Sequence, residues 1–196
     1  MSSRRILLLL AAFTVGAVII VASALALLPG SPAPVASQVA IGGPFELVDQ
    51  DGQTVTQDSF AGEPTLVFFG FTHCPDICPT ALFEMSQVFE ALGPDARKVN
   101  GLFVTVDPER DTAEVMKAYL GSFHPSIQGL TGTPEQVAAM IKAYRVYAKK
   151  VPTQDGDYTM DHTAIIYLMG KDGSFIAPFN LKRPPAEAAA ELRRYL

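Results

Sequence analysis

From Leu66 to Phe71 the sequence Leu-Val-Phe-Phe-Gly-Phe offers no polar side chain at all. A strand of this kind has to be covered on both faces, so it belongs at the centre of a layered α/β domain. A second apolar run, Leu102-Phe-Val-Thr-Val106, repeats the pattern. Between them Leu82, Met85, Val88, Phe89 and Leu92 fall at helical spacing, and Gly93-Pro94 closes that helix. Strand, helix and strand predict a βαβ unit with a parallel pair.

The flanking segments extend this order. Phe45 to Val55 reads as a strand pair turning at Asp51-Gly52. Asp111 is expected to cap a helix carrying Val115, Met116, Tyr119 and Leu120, with Glu114 in the capping-box position. Thr133 and Gln136 form a second box ahead of Val137, Met140, Ile141 and Tyr144. Thr163–Leu168 and Ser174–Pro178 form a hairpin over Lys171-Asp172-Gly173, and Pro184-Pro185 opens an amphipathic helix to Leu196. The order is ββ-β-α-β-α, a short strand, then α-β-β-α. It predicts an α/β domain of thioredoxin-like order with an N-terminal hairpin extension.

The N-terminus predicts where that domain works. Met1 to Arg5 is a short basic head, and no residue from Ile6 to Leu28 carries a charge. At about 1.5 Å per residue the run reaches roughly 35 Å as a helix, enough to cross a hydrocarbon core of ~30 Å. It exceeds the hydrophobic region of a cleaved signal peptide. After Arg4 and Arg5 the next basic residue is Arg97, so the positive-inside rule puts the head in the cytoplasm and the rest outside. The expected organisation is a cytoplasmic head at 1–5, a transmembrane anchor at 6–28, a stiff Pro-rich linker at 29–40 and one domain at 41–196. A single-pass protein of the bacterial inner membrane with a periplasmic domain is the simplest such arrangement.

Fifteen Lys and Arg against twenty Asp and Glu give a net charge of −5, which lacks the electrostatic footprint of a nucleic-acid binder. Two Cys among 196 residues cannot build a disulfide scaffold, but they can supply a redox pair or part of a metal site. Cys74-Pro-Asp-Ile-Cys78 lies where the central strand gives way to a helix. At i and i+4 of a helical turn the two thiols share a face. The helix N-terminus favours thiolate. Among the three His, His73 neighbours Cys74 and points to the other face, and His124 sits in a surface loop. His162 precedes the later apolar strand, and in this fold order the loop entering that strand faces the Cys pair. Cys74, Cys78 and His162 thus make a trigonal set suited to Cu(I), or to Cu(II) with a further ligand. Zinc fits the ligand types but favours a fourth.

Three motifs carry a family resemblance: Gly70-Phe-Thr-His-Cys-Pro-Asp-Ile-Cys-Pro79, Val106-Asp-Pro-Glu-Arg-Asp-Thr112 and Met160-Asp-His-Thr163. With them the chain, from Val35 onward, resembles the Sco/SenC family of copper-binding cytochrome oxidase assembly proteins. The resemblance implies one copper per domain, held by Cys74, Cys78 and His162. It also implies copper delivery to the dinuclear centre of cytochrome c oxidase subunit II, or reduction of that centre's cysteines. A periplasmic copper donor or a thioredoxin-like reductase would then be a further partner.

Around this set, Asp161 can orient His162 or lend an oxygen to Cu(II), and Asp76 reads as a helix cap or a redox residue. Met160 and Met169 read as filling, and Arg145, Lys149 and Lys150 as a solvated basic face. Val146–Asp161 is longer than the fold needs and reads as a mobile flap bringing His162 to the cysteines. Two other functions remain open. One is a thiol–disulfide oxidoreductase with Cys74 as nucleophile and Cys78 as resolver, although its Cys spacing is one residue too long for an ordinary one. The other is a peroxidase of related architecture.

Overall fold

Thr65–Gly70 form β3, and every one of the strand's residues is buried. In a computed structural model of the protein, described over residues 13–21, 23 and 40–196, this strand lies inside a seven-stranded sheet. The strands are β1 (Glu46–Asp49), β2 (Thr54–Thr56), β3, β4 (Asn100–Thr105), β5 (Ile127–Thr131), β6 (Ala148–Pro152), β7 (Tyr158–His162), β8 (Ile166–Met169) and β9 (Phe175–Pro178). The large sheet runs β2-β1-β5-β4-β3-β8-β9, while β6 and β7 form a separate two-stranded sheet. β3 pairs in parallel with β4, and β4 with β5. β8 and β9 add antiparallel strands beside β3, and the β1–β2 hairpin adds antiparallel to β5. The parallel pair, the closing hairpin and the N-terminal extension are those the sequence predicts.

Four α-helices accompany the sheet: α1 (Ile77–Leu92), α2 (Ala113–Leu120), α3 (Pro134–Ala143) and α4 (Pro185–Leu192). In α1, Leu82, Met85, Val88, Phe89 and Leu92 are all buried, as their spacing requires. Fully burying a side chain of this size contributes about 1.5–3 kcal/mol. The Thr133/Gln136 capping box is present at α3. At α2 the cap is Thr112, whose hydroxyl accepts from the Val115 amide, and not Asp111. The last helix stops at Leu192 and tightens into a 3-10 turn over Arg193–Tyr195. Phe68 and Phe103, paired across β3 and β4, pack with ring centroids 5.8 Å apart at the centre of the core.

Contacts divide the chain into Met1–Val39 and Ala40–Leu196. In the first unit residues 13–21 and 23 are helical, with Phe13 and Ile20 largely exposed. Among the described residues no helix is long and apolar enough to cross a membrane. The head at 1–5, much of the expected anchor at 6–28 and all but the last residue of the expected linker at 29–40 lie outside the described residues.

Candidate metal centre

β3 and β4 are parallel and in register through Gly70 and Thr105, so their C-terminal ends open side by side. That end of a parallel sheet is where ligands of α/β folds gather. The segment leaving β3 carries both cysteines. It does not enter the helix at once: α1 starts only at Ile77. Cys74 therefore precedes the helix instead of sharing a turn with Cys78. Pro75 sits in the connecting turn, and Pro79, near the start of α1, falls where amides lack helical partners anyway. Both cysteines are free; Cys74 is half-buried and Cys78 fully buried. The Cys78 amide donates to Cys74 Sγ at 3.4 Å.

His162 arrives from the other side. It is the last residue of β7, opposite Ala148, and not part of an open loop. The strand predicted from Thr163 begins at Ile166, so Thr163-Ala-Ile165 link the small sheet to the large one. The imidazole Nδ1 lies 3.1 Å from the Thr163 carbonyl oxygen. A carbonyl only accepts, so Nδ1 is the donor in this bond, and in the neutral ring the lone pair then falls on Nε2. Nε2 faces Cys78 Sγ at 3.7 Å. Phe71 backs the ring edge-on, with centroids 5.7 Å apart at 88°. Burial pushes the Cys78 thiol well above its ordinary value, and Cys74 adds to the rise while a backbone hydrogen bond at Phe71 opposes it. A neutral Cys78 thiol at this distance can donate to an Nε2 lone pair.

The three predicted ligands are thus joined in pairs. Among the described residues no group of three His, Cys, Asp or Glu side chains is already drawn into a metal cluster. The donor chemistry nonetheless fits a soft metal: two reduced thiols and an imidazole whose far nitrogen is tied to a carbonyl, the usual support of a metal-bound histidine.

The neighbouring acids fall out differently from expectation. Asp161 is exposed on β7 opposite Lys149, and the Thr163 carbonyl takes the orienting role assigned to it. Asp76 is the N-cap of α1 by position, but its side chain makes no capping bond. Asp111 is fully buried. It accepts from the Thr72 amide at 3.1 Å, from Thr72 Oγ1 at 2.5 Å and from Thr105 Oγ1 at 2.7 Å. It thereby fixes the residue two before Cys74. His73 is exposed, and its Nδ1 lies 3.1 Å from Thr72 Oγ1, whose own proton goes to Asp111. His124 is half-buried and stacked on Phe89 at 5.3 Å, so it is structural. Met169 belongs to the core, and Met160 packs against that core from the hairpin. The sequence reading gave no role to Arg110, which lies inside the Val106–Thr112 motif, or to Tyr158, two residues before Met160.

The SCO1/SenC family model matches residues 34–196. The chain belongs to the SCO1/SenC family. Bradyrhizobium japonicum ScoI, solved with copper bound, is 66% identical and superposes with a TM-score of 0.79 over 80% of this chain and all of that one. The human mitochondrial SCO1 homologue is 41% identical over 162 residues, which is 80% of this chain and 53% of the relative. BsSco, described as a member of the Sco family of cytochrome c oxidase assembly proteins with a disulfide switch, is 26% identical at a TM-score of 0.62, covering 80% of this chain and 93% of that one. This SCO1/SenC chain spans about half the length of the curated relatives it matches first. The thioredoxin-like Sco fold that the sequence predicts is the fold these solved structures share with it.

Proposed function

We propose that this chain is a membrane-anchored copper-binding protein that holds one copper, as Cu(I) or Cu(II), through Cys74, Cys78 and His162. The observation that carries the reading is His162 Nε2, 3.7 Å from Cys78 Sγ across 84 residues of sequence, with Nδ1 turned to the Thr163 carbonyl. Cys74, half-buried and ahead of the helix, has the freedom to complete the set. Two thiolates and one imidazole suit Cu(I), and a water or further ligand suits Cu(II). The copper in the Bradyrhizobium relative supports the same choice of metal.

The cargo is delivered to the dinuclear copper centre of cytochrome c oxidase subunit II. Alternatively the Cys74–Cys78 dithiol reduces that centre's cysteines, giving up two electrons and two protons and closing to a disulfide. A periplasmic copper donor or a thioredoxin-like reductase resets the chain. The domain faces the periplasm from a single-pass anchor in the bacterial inner membrane, with the head in the cytoplasm; Arg4, Arg5 and the uncharged run after them support this orientation.

A second reading, a periplasmic thiol–disulfide oxidoreductase, is favoured by the two free thiols in contact through the Cys78 amide. The half-buried Cys74 is its nucleophile and the buried Cys78 its resolver. Copper counting separates the two. The reduced full chain is loaded with copper, freed of excess and compared with Cys74→Ser, Cys78→Ser and His162→Ala. About one copper in the parent with sharp loss in all three variants is expected. Little copper in the parent, with a readily reduced disulfide, overturns the first reading in favour of the second.

A further inference from the structure

The β6–β7 hairpin that ends in His162 shares no ladder with the large sheet. At its base it is tied by the Thr163 amide to the Tyr147 carbonyl at 2.9 Å and by the Tyr147 amide to Thr163 Oγ1 at 3.0 Å. Beside it lies a cavity of about 260 Å³ lined by Ala148, Lys150 and Met160 of the hairpin, by the Val106–Glu109 segment and by Val137 and Ile141 of α3. Ala148 and Met160 pack against the core near the His162 end, but none of residues 149–158 is buried.

Its far end is held by one cluster. The buried Asp107 accepts from Arg110 Nε at 2.5 Å and from the Tyr158 hydroxyl at 2.9 Å. Arg110 Nη1 donates to the Tyr158 carbonyl at 3.0 Å, and the guanidinium lies 3.8 Å from the centre of the Tyr158 ring. Lys150 pairs with Glu109 at 2.5 Å from the next strand. The loop that makes these contacts, Asp107–Asp111, ends in the carboxylate that grips Thr72 ahead of Cys74. One short loop thus touches both segments that bring the proposed ligands.

We propose that Arg110, braced by Asp107, is a positioning residue that sets where His162 stands against the cysteines by latching the Tyr158 end of the hairpin. The proposal rests on the reading of Cys74, Cys78 and His162 as copper ligands. A planar guanidinium is suited to the task because it can bond a carboxylate, bond a carbonyl and stack on a ring at once. Arg110 touches no ligand atom; it acts only through the hairpin.

The test is a double-mutant cycle on the full chain with Cu(II) as the probe, reading affinity and the sulfur-to-copper absorption band. Arg110→Met is expected to weaken Cu(II) binding by about tenfold, the usual scale for supports of metal ligands, and to shift the band. Tyr158→Phe, which removes only one hydroxyl and keeps the fold if Arg110→Met does not, is expected to cost about threefold. Hydrogen exchange of the hairpin amides speeds up in both metal-free variants. In a His162→Ala background neither substitution weakens Cu(II) binding further, since the residue they position is gone. Parent-like affinity and band in both variants, or the same loss in the His162→Ala background, overturns the latch. Cu(II) binding untouched by His162→Ala alone overturns the ligand assignment beneath it.

Discussion

Gly70 has no room for a side chain: a Cβ there would stand 2.5 Å from the Phe103 ring and 2.8 Å from Cys78 Sγ. Gly70→Ala should therefore cost about 1–3 kcal/mol in denaturant unfolding and displace the sulfur, lowering copper affinity in parallel. An alanine variant with parent stability and parent affinity would contradict this. Tyr158 gives a pH dependence. Burial first, then the Asp107 carboxylate, raises its phenol above the ordinary 10.0. The folded state thus keeps the proton longer than the unfolded one. Its contribution is whole below pH 10 and is lost as pH rises through the folded value. As pH rises above about 10 the parent's melting temperature should fall toward that of Tyr158→Phe, and parallel curves would refute the link. At this scale the reactive residues were the legible ones. Cys74, Cys78 and His162 bear chemistry in themselves, and their types name a soft metal. Asp111 was read as a helix cap because a cap is a local pattern, while its real partner Thr72 lies 39 residues away. Asp161 misled for the same reason: adjacency in sequence placed it beside His162, but alternation along β7 turns it to solvent.

Elements were legible in proportion to how much of their surface they bury. The β3 and β4 runs and the α1 stripe face the core and so declare themselves. The α3 cap did too, because Thr133 and Gln136 satisfy each other's amides within one turn. Thr133→Ala should lower stability by about 1 kcal/mol, read as a shift in thermal midpoint, and no shift would show the box to be idle. The β6–β7 hairpin escaped detection because β6 is exposed at four of its five positions and shows no alternation. Its strand pairing is set by the turn at Thr153–Asp157 and by the latch at Tyr158. The Val146–Asp161 segment, read from sequence as a flap, is a hairpin with a defined register.

For the whole molecule, residues 40–196 form a unit with its own contacts. Expressed alone, that piece should fold, bind copper as the full chain does and stay out of the membrane fraction, whereas the full chain sediments with membranes. Equal partitioning of both would refute the anchor at 6–28. The site's spread along the chain has a consequence for timing. Cys74 and Cys78 neighbour each other in any conformation, but His162 meets them only once the β8 strand that follows it has paired with β3. Contacts of such long sequence separation come late in folding, since the loop they close must be ordered first. An ion that needs all three donors finds no complete seat on the nascent chain. On the proposed ligand set, loading is in this way conditional on a finished fold, with the histidine the last donor to arrive.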